Sequence, residues 1–303
     1  FVAAGGAVVS FAFGALATML FGLSNSLLTP VALFVGVIIS PTSTGVTARI
    51  LRDIRKLGAP EGVTTLAADV IDDVIGILTL TVVLGLTTGA FHASAVLGSL
   101  GKAVGFWLGL TAIAIVTARF ISRFIISFRV MGASIGLALA LALLVSGLAE
   151  EFGLASVIGA YSIGLALSNT RLAEVLTRPV ETLHHVFVPV FFVVSGMLVD
   201  FQVMTGVLFF GLAISTLAIL AKLLGCGLPA LGIGFNRYGA LRIGFGMVPR
   251  GEITLIVAGI GLTRGLIPAD IFGVAVMVIM VTTVVTPVVL TYLYKKGGEG
   301  RRE

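Results

Sequence analysis

The sequence predicts an all-α polytopic membrane protein of about ten spans, arranged as an inverted repeat around two discontinuous, crossing helices. Three observations carry that expectation. The chain of 303 residues is 58% hydrophobic and 11% charged, with a mean hydropathy of +1.17, a balance that soluble domains do not show. Its apolar runs are long and nearly free of charge rather than short and alternating, which selects membrane helices over a β-barrel. Two of those runs are interrupted near their middles by matched Pro/Gly breaks, PTSTG and PRGE.

In chain order the spans are expected at about 2–23 (A), 28–54 (B), 64–87 (C), 98–118 (D), 133–149 (E), 154–168 (F), 184–199 (G), 206–233 (H), 239–262 (I) and 270–294 (J). Pro41 and Gly45 break B between LLTPVALFVGVIIS and VTARILRDI, and PRGE breaks I between GALRIGFGMV and ITLIVAGIGL. A lone kink is tolerated in any membrane bundle. Two accidental kinks are the competing account, but the order of spans argues against it. If loops alternate sides, A and H begin on opposite sides, so A-B-C and H-I-J run in opposite senses with the broken member central in each. Secondary transporters with discontinuous helices at the midplane have that arrangement.

The basic residues orient the chain. Arg52, Arg55, Lys56, Arg119, Arg123, Arg129, Arg171, Arg178, Arg237, Arg242, Lys295, Lys296, Arg301 and Arg302 fall on one side, and only Lys102 and Arg264 on the other. By the positive-inside rule both termini of this chain are expected in the cytoplasm. The net charge of +5 therefore reports topology, not a nucleic-acid partner. The 39 glycines suit close helix packing, and the single Cys226 has no intrachain partner. Phe1 enters an apolar run with no basic leader, so further N-terminal sequence is expected upstream rather than a signal peptide.

The chemistry concentrates in C, where VTTLAADVIDDVIGILTLTVVLGL carries Asp72 and Asp73, with Asp69 one turn earlier. A carboxylate in mid-bilayer costs roughly 2.5–3.5 kcal/mol on insertion scales, so it is expected where it lines a cavity or meets an ion, a proton or a partner. Adjacent helical residues point about 100° apart, which gives Asp72 and Asp73 different partners. Burial and mutual repulsion favour the neutral acid on at least one, so that a cation and a proton compete for it. Lys222 is the only lysine deep within a span, and it is far from the end of H, which makes snorkelling to the headgroups long. Pairing with an aspartate is the alternative. Asp69 is expected either to act with the pair or to stand solvated in a cytoplasmic vestibule. At the break in I, Arg250 and Glu252 oppose the two helix dipole ends beside them, a structural role first. The break in B has only the hydroxyls of Thr42, Ser43 and Thr44, and its uncompensated ends need charge from Asp72 or Asp73. His184 and His185 at an interface, His92, and the turn at Glu150 and Glu151 read as solvated groups, and Trp107 as lipid-facing or packing.

At SPTSTGVTARIL, AADVIDDVIGILTL, VIGAYSIGLALS, FVPVFFVVSGMLVD and GMVPRGEITLIVAGIGL the chain resembles the monovalent cation:proton antiporter-2 family, over nearly its whole length. The resemblance implies a secondary antiporter of the inner membrane, electrogenic and of elevator type, exchanging sodium, or alternatively potassium, for protons. It implies Asp73 as the cation and proton site, Asp72 as a second ion-binding carboxylate that forms a breakable pair with Lys222, and Thr42 and Ser43 as polar groups beside the ion, supported by Asp69, Arg250 and Glu252. It further implies a core domain from 1–90 and 205–303, a linker helix in 91–130, part of a dimerisation domain in 131–204, about three spans missing before A, and a homodimer in the full-length protein. No cofactor beyond the transported ions is expected. Among rivals, a sodium-coupled organic-anion symporter needs a polar solute cavity in place of a carboxylate pair and lysine. An intramembrane aspartyl protease needs facing aspartates on different spans, and outside C the nearest candidate, Asp200, sits at an outer loop. A passive channel would need no alternating access.

Overall fold

A computed structural model describes residues 1–87, 93–128, 132–151, 156–197, 206–296 and 298–301. His92, Arg129, Asp200 and Arg302 lie outside the described residues, as does the side chain of Lys102. The described chain is helical apart from one isolated bridge, Phe235 to Arg301. It falls into two compact units, one of 1–76 with 195–303 and one of 77–194.

The first unit holds α1 (Val2–Leu20), α2 (Pro30–Ile38), α3 (Thr44–Asp53), most of α4 (Pro60–Thr87), α9 (Leu208–Lys222), a π-helical turn (Leu223–Gly227), α10 (Leu228–Gly232), α11 (Arg237–Gly246), α12 (Glu252–Thr263) and α13 (Ala269–Lys296). Spans B and I are thus each two half-helices, as their Pro/Gly breaks predict. Each break follows from local chemistry. Pro41 lacks an N–H for the helical ladder and disfavours the α conformation at Ser40; Pro249 acts likewise on Val248. The half-helices restart on residues that tolerate extended backbone, Ser43 before α3 and Gly251 before α12. Their outer ends are capped by side chains: Thr29 accepts from Ala32 N–H ahead of Pro30, and Asn236 accepts from Gly239 N–H. Gly265, at φ 66°, closes α12 with Leu266 N–H donating to Gly261 O, a left-handed cap that glycine adopts without strain.

The basic end of this unit is closed by a buried ion pair that the sequence reading did not anticipate. Arg242, counted among loop charges from sequence, lies buried in α11 and pairs with Glu61 on α4 at 2.6 Å. It also donates to Gly298 O, while Asn236 holds Glu299 O and Gly300 O, so the C-terminal segment is fastened to the start of α11.

The second unit holds α5 (Ala93–Ser127), α6 (Ala133–Glu151), α7 (Ser156–Ser168) and most of α8 (Arg171–Met197). Its core packs Ala114, Ala118 and Ile125 of α5 against Val145, Ile163, Ala166 and Leu172, the alanines letting the apolar helices approach closely. Trp107 packs against Ile77 and Ala149, and the histidines at 184–185 and Glu150 and Glu151 are exposed. Helices α5 and α8 outrun spans D and G. In α8 the first turns are amphipathic (RLAEVLTRPVETLHH), so hydropathy registers only its apolar second half.

Among the described residues six helices are long and apolar enough to cross a membrane: Val2–Leu20, Pro60–Thr87, Val104–Ser127, Ala133–Glu151, Leu208–Gly232 and Ala269–Lys296. The other four expected spans are the two broken ones, the 13-residue α7 and the half-polar α8.

Candidate functional site: a buried ion pair at two crossing helix breaks

The two breaks meet. Ser43 N–H donates to Pro249 O at 2.8 Å, joining the extended segments directly. Around that point the half-helices cap one another reciprocally. Thr47 of α3 donates to Gly246 O, the last carbonyl of α11, at 2.7 Å, and Thr254 of α12 donates to Ile38 O, the last carbonyl of α2, at 3.2 Å. Both threonines are fully buried. A threonine within the first four residues of each restarted half-helix, each serving the other break, is what two repeats related by a two-fold axis produce. It also satisfies carbonyls that water cannot reach. Neither threonine was singled out from sequence; a threonine five or six residues beyond the proline of each break was the available signal.

Charge completes what hydroxyls leave open. Asp72 accepts from Thr42 N–H at 2.9 Å and from the Thr42 hydroxyl at 2.8 Å, so it neutralises the break before α3. Its other partner is Lys222, whose Nζ lies 2.9 and 3.0 Å from the two carboxylate oxygens; both side chains are fully buried. Lys222 therefore does not snorkel. It ends α9 where the ladder widens into the π-helical turn LLGCG, a distortion frequent at functional sites. Gly5 and Gly6 of α1 lie so close to Gly225 and Cys226 that a Cβ at Gly5 or Gly225 would strike the other's backbone. That glycine-to-glycine approach presses the turn and its lysine inward.

Arg250 is also fully buried. Its guanidinium donates to Met247 O at 3.1 Å and Val248 O at 2.8 Å, the carbonyls at the end of α11, and its N–H donates to Thr282 of α13. The cation thus sits at the negative end of a half-helix. Glu252 opens α12 and accepts from the Ser43 hydroxyl at 3.1 Å.

The structure brings Thr42, Asp72 and Lys222 together and sets Asp73 apart from them. Asp73 is half-buried; one oxygen accepts from Thr44 at 3.4 Å and the other, Oδ1, has no hydrogen-bond partner. Thr42 and Ser43, expected beside the ion, are committed to Asp72 and Glu252, and Thr44 is the hydroxyl that faces Asp73. Both oxygens of Asp72 are engaged by the lysine, so a cation could reach them only after that pair opens. Of the two expectations for Asp69, the solvated vestibule does not hold: it is fully buried, and neither carboxyl oxygen has a hydrogen-bond partner. Among the described residues no three His, Cys, Asp or Glu side chains converge as a metal cluster.

Residues 1–296 match the family described as sodium/hydrogen exchanger, transmembrane. The chain belongs to that family. The resemblance read from its motifs holds, and the family is one of membrane exchangers rather than enzymes. This exchanger is 33% identical over 301 residues to the Na(+)/H(+)-K(+) antiporter GerN of Bacillus cereus, covering 97% of this chain and 74% of that one. It is 33% identical over 298 residues to a Na(+)/H(+) antiporter of Enterococcus hirae, covering 98% and 77%. Its fold is that of the sodium proton antiporter MjNhaP1 from Methanocaldococcus jannaschii, with a TM-score of 0.78 over 97% of this chain and 78% of that one, at 18% identity.

Proposed function

We propose that this exchanger is a secondary active antiporter that moves sodium across the cell's inner membrane in exchange for protons, electrogenically and by alternating access of an elevator-type core, as a homodimer. The observation that carries the reading is the buried Asp72–Lys222 pair beside a half-buried Asp73 with a free oxygen, at the crossing of two helix breaks. An ion pair held in a low-dielectric core is costly to break and costly to leave half-made, so it couples occupancy to protonation. A cation arriving at Asp73 displaces its proton and is met by the Thr44 hydroxyl. The added positive charge weakens the attraction between Asp72 and Lys222, and the lysine releases a second proton. Net charge then moves with each cycle, because two protons exchange for one cation.

Arg250 and Glu252 hold the second break in place through these steps. Asp69 suits proton rather than cation carriage, since an ionised carboxylate there has no hydrogen bond to stabilise it. The same site in a potassium/proton antiporter is the second reading, favoured by the naming of GerN for both cations.

The test is reconstitution in liposomes under an imposed pH gradient, with lumenal pH followed by a dye as sodium, potassium or lithium is added. The expected result is a cation-triggered pH change that Asp73→Asn abolishes while the variant's melting temperature is retained. A pH response to potassium alone would assign the second reading. No response to any of the three, in folded protein, would overturn antiport and bring the organic-anion symporter forward.

A further inference from the structure

The second unit holds a cavity lined by none of the residues of the candidate ion site. It measures about 620 Å³ and lies where the polar end of α5 meets the turn between α7 and α8. Arg119 and Arg123, one turn apart on α5, and Arg171, the first residue of α8, line it together with Asn169, Thr170 and the buried Ser122. Three guanidiniums at one cavity repel one another, and such a cluster is normally neutralised by carboxylates. Here none of the three has an ion-pair partner among the described residues; Glu174, three residues beyond Arg171, forms no ion pair with it. All three arginines are exposed, so their charge is open to a ligand from outside the chain.

Chemistry narrows the occupant. Guanidinium forks match the oxygens of phosphate in bidentate pairs, and the N-terminal end of the 27-residue α8 adds partial positive charge from the same side. Arg119 and Arg123 stand in the last three turns of the apolar helix Val104–Ser127, toward the level at which a bilayer presents its headgroups. Phe120, Phe124 and Ile126 are exposed along the same two turns of helix, an apolar surface beside the charged cavity. We infer that this cavity binds a phosphate group borne by an anionic phospholipid, with the headgroup on Arg119, Arg123 and Arg171 and the acyl chains along the exposed face of α5. All three arginines lie on the side that the charge count assigns to the cytoplasm, where the leaflet is rich in anionic lipid and basic pockets between helices take up headgroups. The inference stands apart from the antiport reading, because no residue of it belongs to the ion site.

The test uses the whole chain in detergent, with retention of added phosphatidylglycerol or phosphatidylcholine read by native mass spectrometry and stability read by thermal melting. Phosphatidylglycerol is expected to be retained in preference to phosphatidylcholine and to raise the melting temperature. The triple variant Arg119→Gln, Arg123→Gln, Arg171→Gln is expected to lose affinity for it by roughly tenfold or more, since one charge-assisted hydrogen bond carries that factor. A charge-matched control, Arg264→Gln, Lys295→Gln, Lys296→Gln, should bind as the parent does. If the triple variant fails to fold, Arg123→Lys replaces it, keeping charge but losing the fork, and should weaken binding alone. Inorganic phosphate is the competing arm. If it stabilises the parent but not the triple variant, and phosphatidylglycerol does not, the lipid assignment is overturned in favour of a soluble phosphate. Equal phosphatidylglycerol binding by parent, triple variant and control would overturn the site itself.

Discussion

Lys222 and Asp72 are buried without access to water, and the energetics of such a pair are lopsided. Making it gains little over an apolar pair of the same shape, whereas removing one member strands the other charge at a cost of about 3–5 kcal/mol. Lys222→Met is therefore expected to lower the melting temperature sharply in detergent. The double variant with Asp72→Asn should recover most of the loss, because the amide oxygen then at position 72 still accepts from Thr42 and no buried charge is left unpaired. Equal melting of single and double variants would show that the pair does not hold the core. Asp69 gives the opposite expectation. Its carboxyl has no hydrogen bond to lose, so Asp69→Ala should leave the melting temperature unchanged or raise it. In liposomes the same variant should alter the pH dependence of exchange. A large loss of stability would mean that Asp69 has a structural partner.

At the scale of elements, the breaks are stabilised by each other. A half-helix ending in a membrane core exposes carbonyls, and here Thr47 and Thr254 supply the donors reciprocally. Thr47→Val and Thr254→Val should each cost about 1–3 kcal/mol, and by similar amounts, since each strands an equivalent carbonyl. Thr216→Val, at an exposed threonine bonded only within its own helix, should stay within about 0.5 kcal/mol. Melting of the three single variants decides it; a loss at only one of the two capping positions would argue against a symmetric crossing. The π-helical turn after Lys222 belongs to the same logic. Its glycines meet the glycines of α1, and that contact fixes how far the lysine reaches into the bundle.

For the molecule as a whole, the distribution of basic residues predicts the side on which the ends of the chain lie. A fluorescent protein fused after Glu303 is expected to fluoresce in cells, and alkaline phosphatase fused there to be inactive, both reporting a cytoplasmic C-terminus. The reverse pair of results would invert the topology and put the arginine cavity of the second unit on the outer face. The C-terminal segment is itself anchored. The buried Glu61–Arg242 pair and Asn236 tie Gly298, Glu299 and Gly300 to α4 and α11 by hydrogen bonds.

The class of fold, the two breaks and the charges at their crossing were legible in the sequence alone, because hydropathy, proline and glycine act locally and a charge in an apolar run has few physical excuses. PTSTG and PRGE mark their breaks to within a residue or two, and the aspartates and Lys222 announce themselves by cost. Partner choice was not legible. Thr42 serving Asp72 while Thr44 serves Asp73, Arg242 leaving the loops for Glu61, and Thr47 and Thr254 capping across the crossing all depend on contacts between residues 29 to 216 positions apart. A one-dimensional pattern carries no record of those distances. Asp69 makes the point most sharply: on its helix it shares a face with Asp72 and Asp73, yet only the packing of other helices against that face left it dry and without a partner.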